Sequence, residues 1–235
     1  MRGAAQMRGV TIVEICIVLV IIGLLIGGVL GGQELLQNYR INKMIDQTKQ
    51  IDAAFTLFKK NYGELPGDIS SITRLANCTA APCSTAGNGD GRIQGGTLAY
   101  TTMAALTDER VTGWAHLKAA DLIQMEGGTL LEPGQALPET AMDGMWRMGY
   151  LDENGAGRQI DYANIIFPSR NNTTTWREVM PARYVQMMDK KMDDGGIFTG
   201  RLQGTMNIDC NTGPEYNITT NTNACTYFYL LDTQF

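Results

Sequence analysis

Residues 10–30 read VTIVEICIVLVIIGLLIGGVL, an apolar run of 21 residues broken by one charge, Glu14. At about 1.5 Å per residue a helix of that length reaches about 30 Å, the thickness of a bilayer's hydrocarbon core. A carboxylate inside such a run costs on the order of 3 kcal/mol to insert. Glu14 must therefore be protonated, snorkel to the interface, or meet a cation within the apolar layer.

The run continues through Gly31 and Gly32 into a stretch of different character. Ile41, Met44, Ile45, Thr48, Ile51, Phe55, Phe58 and Tyr62 recur at steps of three and four, while Arg40, Lys43, Asp46, Lys49, Asp52 and Lys59 take the other positions. That pattern predicts an apolar stripe along one side of a helix. No proline interrupts residues 10–63, so one helix of about 80 Å is possible. Its first half is apolar all round and wants lipid or other helices; its second half is one-sided and wants a globular partner.

Charge is divided unevenly over the 235 residues: residues 1–62 carry a net +3 and the remainder −8. The acidic part argues against a general nucleic-acid-binding surface there. Arg2 and Arg8 precede the apolar run, and the positive-inside bias keeps that end cytoplasmic and sends the rest outward. An ordinary secretory signal is the rival, weakened by Glu14 within the apolar core and by a poor cleavage site near Val29 and Gly31. Cys16 lies in the apolar run without a local partner, while Cys78, Cys83, Cys210 and Cys225 lie beyond it. The simplest pairing is Cys78–Cys83 with Cys210–Cys225, although four cysteines permit three connectivities. Disulfides imply an oxidising compartment.

The basic leader ending in Gly9, the segment VTIVE with Glu14 five residues after that glycine, and the apolar helix around the acid resemble the class III signal of type IV pilins and pseudopilins. The resemblance implies cleavage after Gly9 by a prepilin peptidase and methylation of the new amine at Val10. It makes Glu14 the acid that sets filament register, paired with a neighbouring subunit's N-terminal ammonium. Members usually carry Phe or Met where this chain has Val10, which implies slower methylation. The junction NYGELPGD at residues 61–68, the pattern around Trp114 and His116, and the block KKMDDG at residues 190–195 also resemble pilin-like proteins. The resemblance further implies that the loop between Cys210 and Cys225 forms an exposed variable edge.

The long helix is expected to stop at Asn61 and Gly63, before Pro66. Residues 69–98 read as a surface excursion. Within it, setting Gly91 at position 6 of an EF-hand loop places Asn88 and Asp90 at positions 3 and 5, but Ala86 and Thr97 at 1 and 12, where ligands are required. A tight turn is expected, with calcium at Asn88 and Asp90 as the alternative. Residues 107–123 predict a helix capped by Thr107, with Val111, Trp114, Leu117 and Asp121 on one face and His116, the single histidine, off it. Residues 145–151 and 159–167 predict a hairpin around a turn at Asp152, Glu153, Asn154 and Gly155. Residues 180–192 predict a short helix with Pro181 in its first turn and Tyr184, Val185, Met188 and Met192 inward. Asp193 and Asp194 are expected to be a solvated helix end, and residues 226–231 a final strand.

Nucleotide-binding, nucleophile-elbow and zincin motifs are all missing from the sequence, so it is expected to be neither an enzyme nor a cofactor protein. The fold class is α+β: a leader at 1–9, a long helix at 10–62 whose residues 10–30 span the membrane or form the filament core, and a head at 63–235. That head pairs an antiparallel sheet with short extra helices. The family resemblance implies a filament subunit, held in a bacterial inner membrane by one pass and then incorporated into a periplasmic or cell-surface filament. Its partners would be other pilin or pseudopilin subunits, the prepilin peptidase, the inner-membrane assembly platform and the lipid bilayer. The alternatives are a pseudopilin of a type II secretion system and a minor pilin carrying an adhesin or binding head.

Overall fold

The computed structural model describes residues 11–94, 107–124, 137–142, 144–151, 163–169, 179–205, 210–220, 222 and 225–232. The chain divides into two units, Met1–Arg40 and Ile41–Phe235. Helix α1 (Ile12–Tyr62) is continuous and belongs to both. In the first unit its described residues are exposed on every side apart from the half-buried Asn38, with Ile12 at 83% and Ile22 at 45%. In the second unit the stripe is buried: Ile41, Met44, Ile45, Thr48, Ile51, Phe55 and Phe58 join the core, together with Ala54. The helix stops at Tyr62 because Gly63 adopts a left-handed φ of +80° and donates its N–H back to the Lys59 carbonyl.

The second unit is an α+β head in which α1 packs against an antiparallel sheet, as the sequence predicts. Among the described residues the sheet has four strands in the order β1 (Met145–Leu151), β2 (Ala163–Ser169), β6 (Tyr227–Leu230), β3 (Leu202–Gly204). Met148 pairs with Ile166, Ile166 with Tyr229, and Tyr229 with Leu202, one apolar row across all four strands. This row, with Trp146 and Tyr227, meets α1. The opposite face is apolar as well: Leu151, Ile165, Phe167 and Phe228 form a second cluster, with the two phenylalanine rings edge to face at 5.7 Å. Burial of both faces explains why β1 and β2 carry few polar residues.

Helix α2 (Glu109–Ala119) is shorter than the spacing predicts. Its cap is Asp108, not Thr107: the Asp108 side chain accepts the Arg110 N–H at 3.0 Å. It ends where Asp121 turns left-handed (φ +56°), the Asp121 N–H reaching Lys118 and the Leu122 N–H reaching Leu117. That arrangement removes Asp121 from the helix face. Helix α3 (Ala182–Met192) starts after Pro181, which stands just before its first turn. Val185 and Met188 are buried as expected, while Tyr184 and Met192 are only half-buried. A small hairpin, β4 (Asn211–Thr212) and β5 (Glu215–Tyr216), precedes β6.

Residues 69–94 run mostly over the surface, as expected, but are pinned to the core at a few points. Ile69, Leu75, Cys78 and Ile93 are core residues, and Asp68 is buried at their start. Backbone turns, with a short 3-10 helix at Ile72–Arg74, hold the first part of the segment, and side-chain carboxylates receive the backbone N–H groups of residues 88–91 and 94. The predicted turn at residues 152–155 and the start of the second strand lie outside the described residues.

Candidate functional site

Gly9 and Val10 lie outside the described residues. Glu14 stands in the first turn of α1, and its carboxylate accepts both the Thr11 N–H and the Thr11 hydroxyl, each at 2.9 Å. The Thr11 Oγ1 in turn accepts the Glu14 N–H at 3.3 Å. This is a capping box, in which an N-cap threonine and the acid three residues on satisfy each other's orphan donors. The signal Thr-x-x-Glu was present in the sequence, and Thr11 is the residue missed. Glu14 thus has a local partner within its own chain.

In the head, Cys78 is bonded to Cys83 and Cys210 to Cys225; Cys16 is exposed and free. Residues far apart in sequence gather at the first disulfide. His116 on α2 is fully buried; its Nδ1 accepts the Gly67 N–H at 2.9 Å and its Nε2 lies 2.9 Å from the Cys83 carbonyl. An Nδ1 that accepts leaves the proton on Nε2, so the ring is a neutral brace between two loops. Burial holds its pKa below the ordinary histidine value. Cys78, Cys83 and His116 lie close enough to share a metal, but the sulfurs are spent in the disulfide and both ring nitrogens in hydrogen bonds.

The loop with Asn88 and Asp90 closes around a different acid. The Asp68 carboxylate accepts the N–H groups of Gly89 (2.7 Å), Asp90 (3.1 Å) and Gly91 (2.7 Å). Glu109, first residue of α2, accepts those of Asn88 (3.2 Å) and Gln94 (2.8 Å). Asn88 Oδ1 and Asp90 Oδ1 point at the N–H groups of Asp90 and Arg92. Their oxygens therefore shape Asx turns. Burial raises the pKa of Asp68, and raises that of Glu109 to about 7, with Asp68 and Asp90 adding repulsion. Gly67 is required here: its φ is +93° and a Cβ would lie 2.3 Å from the Glu109 carbonyl.

The second acidic group is also structural. Asp193 is half-buried and accepts the N–H groups of Arg201 and Leu202, so it ties the end of α3 to β3 and is not merely solvated. Asp194 is exposed and accepts the Gly196 N–H at 2.8 Å. Asp189, on the inner face of α3, is fully buried; it accepts the Tyr216 hydroxyl at 2.7 Å and the Gly195 N–H at 3.1 Å. Burial lifts its pKa to about 6, with Asp193 and Asp194 reinforcing the shift. The three carboxylates are near enough to hold a cation, yet each already receives donors of the chain itself. Periodicity places position 189 beside Met188 and Met192, the only hint that an acid there is inward.

Among the described residues none of these groups pairs a nucleophile with a base, and each acid is engaged by backbone or tyrosine donors. Cys16 is the one free thiol described, and it sits on the apolar half of α1. That half is the one described helix long and apolar enough to cross a membrane. Comparison of the chain with protein-family models, curated proteins and solved structures gives no match.

Proposed function

We propose that the chain is a structural subunit of a type IV pilus-like filament, without catalytic activity of its own. The observation that carries this reading is the split character of α1: an exposed apolar half led by Glu14, joined to a half that is built into the head core. The apolar half stores the subunit in a bacterial inner membrane with its N-terminus cytoplasmic. After cleavage between Gly9 and Val10, neighbouring apolar halves bundle and bury one another. Glycines at 23, 27, 28, 31 and 32 support this: a Cβ added at any of them would meet nothing within 4 Å. Each costs a helix about 1 kcal/mol relative to alanine, and close approach of another helix accounts for that cost. Gly31 and Gly32 are also where the helix is expected to melt on assembly.

Glu14 then exchanges its capping contact with Thr11 for the ammonium at a neighbour's Val10, which fixes axial register. Glutamine can serve a capping box as glutamate does, so Glu14→Gln separates the two roles. Processing of this variant should be intact and its filament yield lost. Normal yield would refute the register role and leave Glu14 a helix cap.

The N-terminal peptide decides the location. An N-methylated Val10 in sheared surface material supports a surface filament, and the same peptide confined to the cell envelope supports a secretion pseudopilin. A chain still beginning at Met1 removes the amine that Glu14 needs and ends the filament reading.

A further inference from the structure

Four Asn-x-Thr triplets occur in the chain, at Asn77, Asn171, Asn172 and Asn217. Such a triplet is the acceptor pattern for glycosylation of the asparagine amide, a modification of surface loops. Asn171 and Asn172 lie outside the described residues. Asn77 precedes a disulfide-bonded cysteine, and its side-chain amide reaches the Ala119 carbonyl at 3.4 Å.

Asn217, itself half-buried, lies elsewhere in the head. It follows the β4–β5 hairpin inside the loop closed by Cys210 and Cys225. Its backbone N–H donates to the Cys210 carbonyl at 2.8 Å, which anchors the turn across the loop. The next residues turn outward: Ile218 is 54% exposed, and Thr219 is exposed. The Thr219 hydroxyl donates to Asn217 Oδ1 at 2.6 Å, and the Thr219 N–H reaches the same oxygen at 3.3 Å. The triplet therefore already holds its hydroxyl on the amide it must help to present. Two residues before Asn217 is Glu215, an exposed acidic residue. The equivalent positions for the other three triplets are Leu75, Ser169 and Arg170. Of the two described triplets, the one at Asn217 offers a transferase both a protruding turn and an acidic residue two positions ahead.

We propose that Asn217 is an N-glycosylation acceptor, taking an oligosaccharide from a polyprenyl-pyrophosphate donor on the outer side of the membrane, with Glu215 as the recognition handle. The new bond joins Asn217 Nδ2 to the anomeric carbon of the first sugar. The bond broken links that carbon to a pyrophosphate oxygen, which leaves with the electron pair. One amide proton passes to a base of the transferase, and nothing is oxidised or reduced. This inference needs the head to lie on the outer side of the membrane, but not filament assembly.

The test uses the full chain produced in bacteria that carry an oligosaccharyltransferase of the acidic-x-Asn-x-Ser/Thr type with its lipid-linked oligosaccharide. Glycopeptide mass spectrometry is applied to chains whose two head disulfides are closed. The expected result is a glycan on the Asn217 peptide, lost in Asn217→Gln and Thr219→Ala, kept in Thr219→Ser and Glu215→Asp, and largely lost in Glu215→Ala. A bare Asn217 beside a modified control acceptor in the same cells overturns the proposal, as does a glycan on Asn77 instead. Full modification of Glu215→Ala removes the handle from it. N-terminal processing read in the same sample keeps the two readings apart: a cut chain bare at Asn217 sinks the glycan and spares the filament. A glycosylated chain left uncut does the reverse.

Discussion

The two halves of α1 share a backbone and differ in everything else. Leu24 is 73% exposed in the first half, while Phe58 is 0% exposed in the second. Both lie in one uninterrupted helix, so helix formation does not distinguish them. What differs is the partner each surface requires. A stripe along one side can be buried by a single sheet, whereas apolar residues all round need lipid or several helices.

Core truncation gives the largest expected effect on head stability. Phe58→Ala should cost about 3–5 kcal/mol in chemical denaturation of the head. Leu24→Ala should leave that transition unchanged within about 0.5 kcal/mol. Equal losses would mean that the first half supports the head, and the contrast would fail. Gly67→Ala comes next. It forces a Cβ against the Glu109 carbonyl at a positive φ and should cost more than about 1 kcal/mol, seen as a lower melting temperature with β1 and β2 still formed.

The head should also carry a pH dependence. Glu109 titrates at about 7 when folded against an ordinary 4.5, and Asp189 at about 6 against 3.8. In these windows the folded state binds more protons than the unfolded one. Their contribution is therefore fully present below the ordinary values and is lost as pH rises through the folded ones. His116 acts in the opposite sense below 6.5, because its folded value is depressed and protonation favours the unfolded chain. Glu109→Gln isolates the first contribution. It sacrifices one backbone hydrogen bond at every pH, and its stability profile between pH 4.5 and 7 should be flatter than that of the parent. An unchanged slope would show that Glu109 does not titrate there.

The smallest effect belongs to the ion pair on the buried half of the helix. Arg201 contacts both Asp52 oxygens, at 2.9 and 3.1 Å, with side chains 42% and 18% exposed. Asp52→Asn should cost less than about 1 kcal/mol, and salt should reduce the difference. A larger, salt-insensitive loss would make this contact a structural anchor of α1.

Much of the head was legible in the pattern of residues. The stripe from Ile41 to Phe58 and the strand at residues 145–151 follow from periodicity alone. The order of residues 88–94 is not legible in this way, because it comes from Asp68 and Glu109 receiving backbone N–H groups, contacts with no period. Thr107 and Asp108 are both favoured capping residues in adjacent positions, and only the structure shows that Asp108 provides the cap. The Thr11–Glu14 capping box is equally local, a Thr-x-x-Glu at the head of the apolar run.

The division of α1, the acid at position 14 and the composition of the cysteine loops are local properties, so the sequence by itself determined them. Which carboxylates would be inward was decided by the tertiary structure. Asp68, Glu109 and Asp189 are ordinary acids in sequence and become buried acceptors only where loops return to meet them. The same holds for His116, whose two hydrogen-bond partners lie 49 and 33 residues away. Hydrophobic periodicity is encoded residue by residue along an element, whereas a buried polar group is satisfied by donors from elsewhere in the chain.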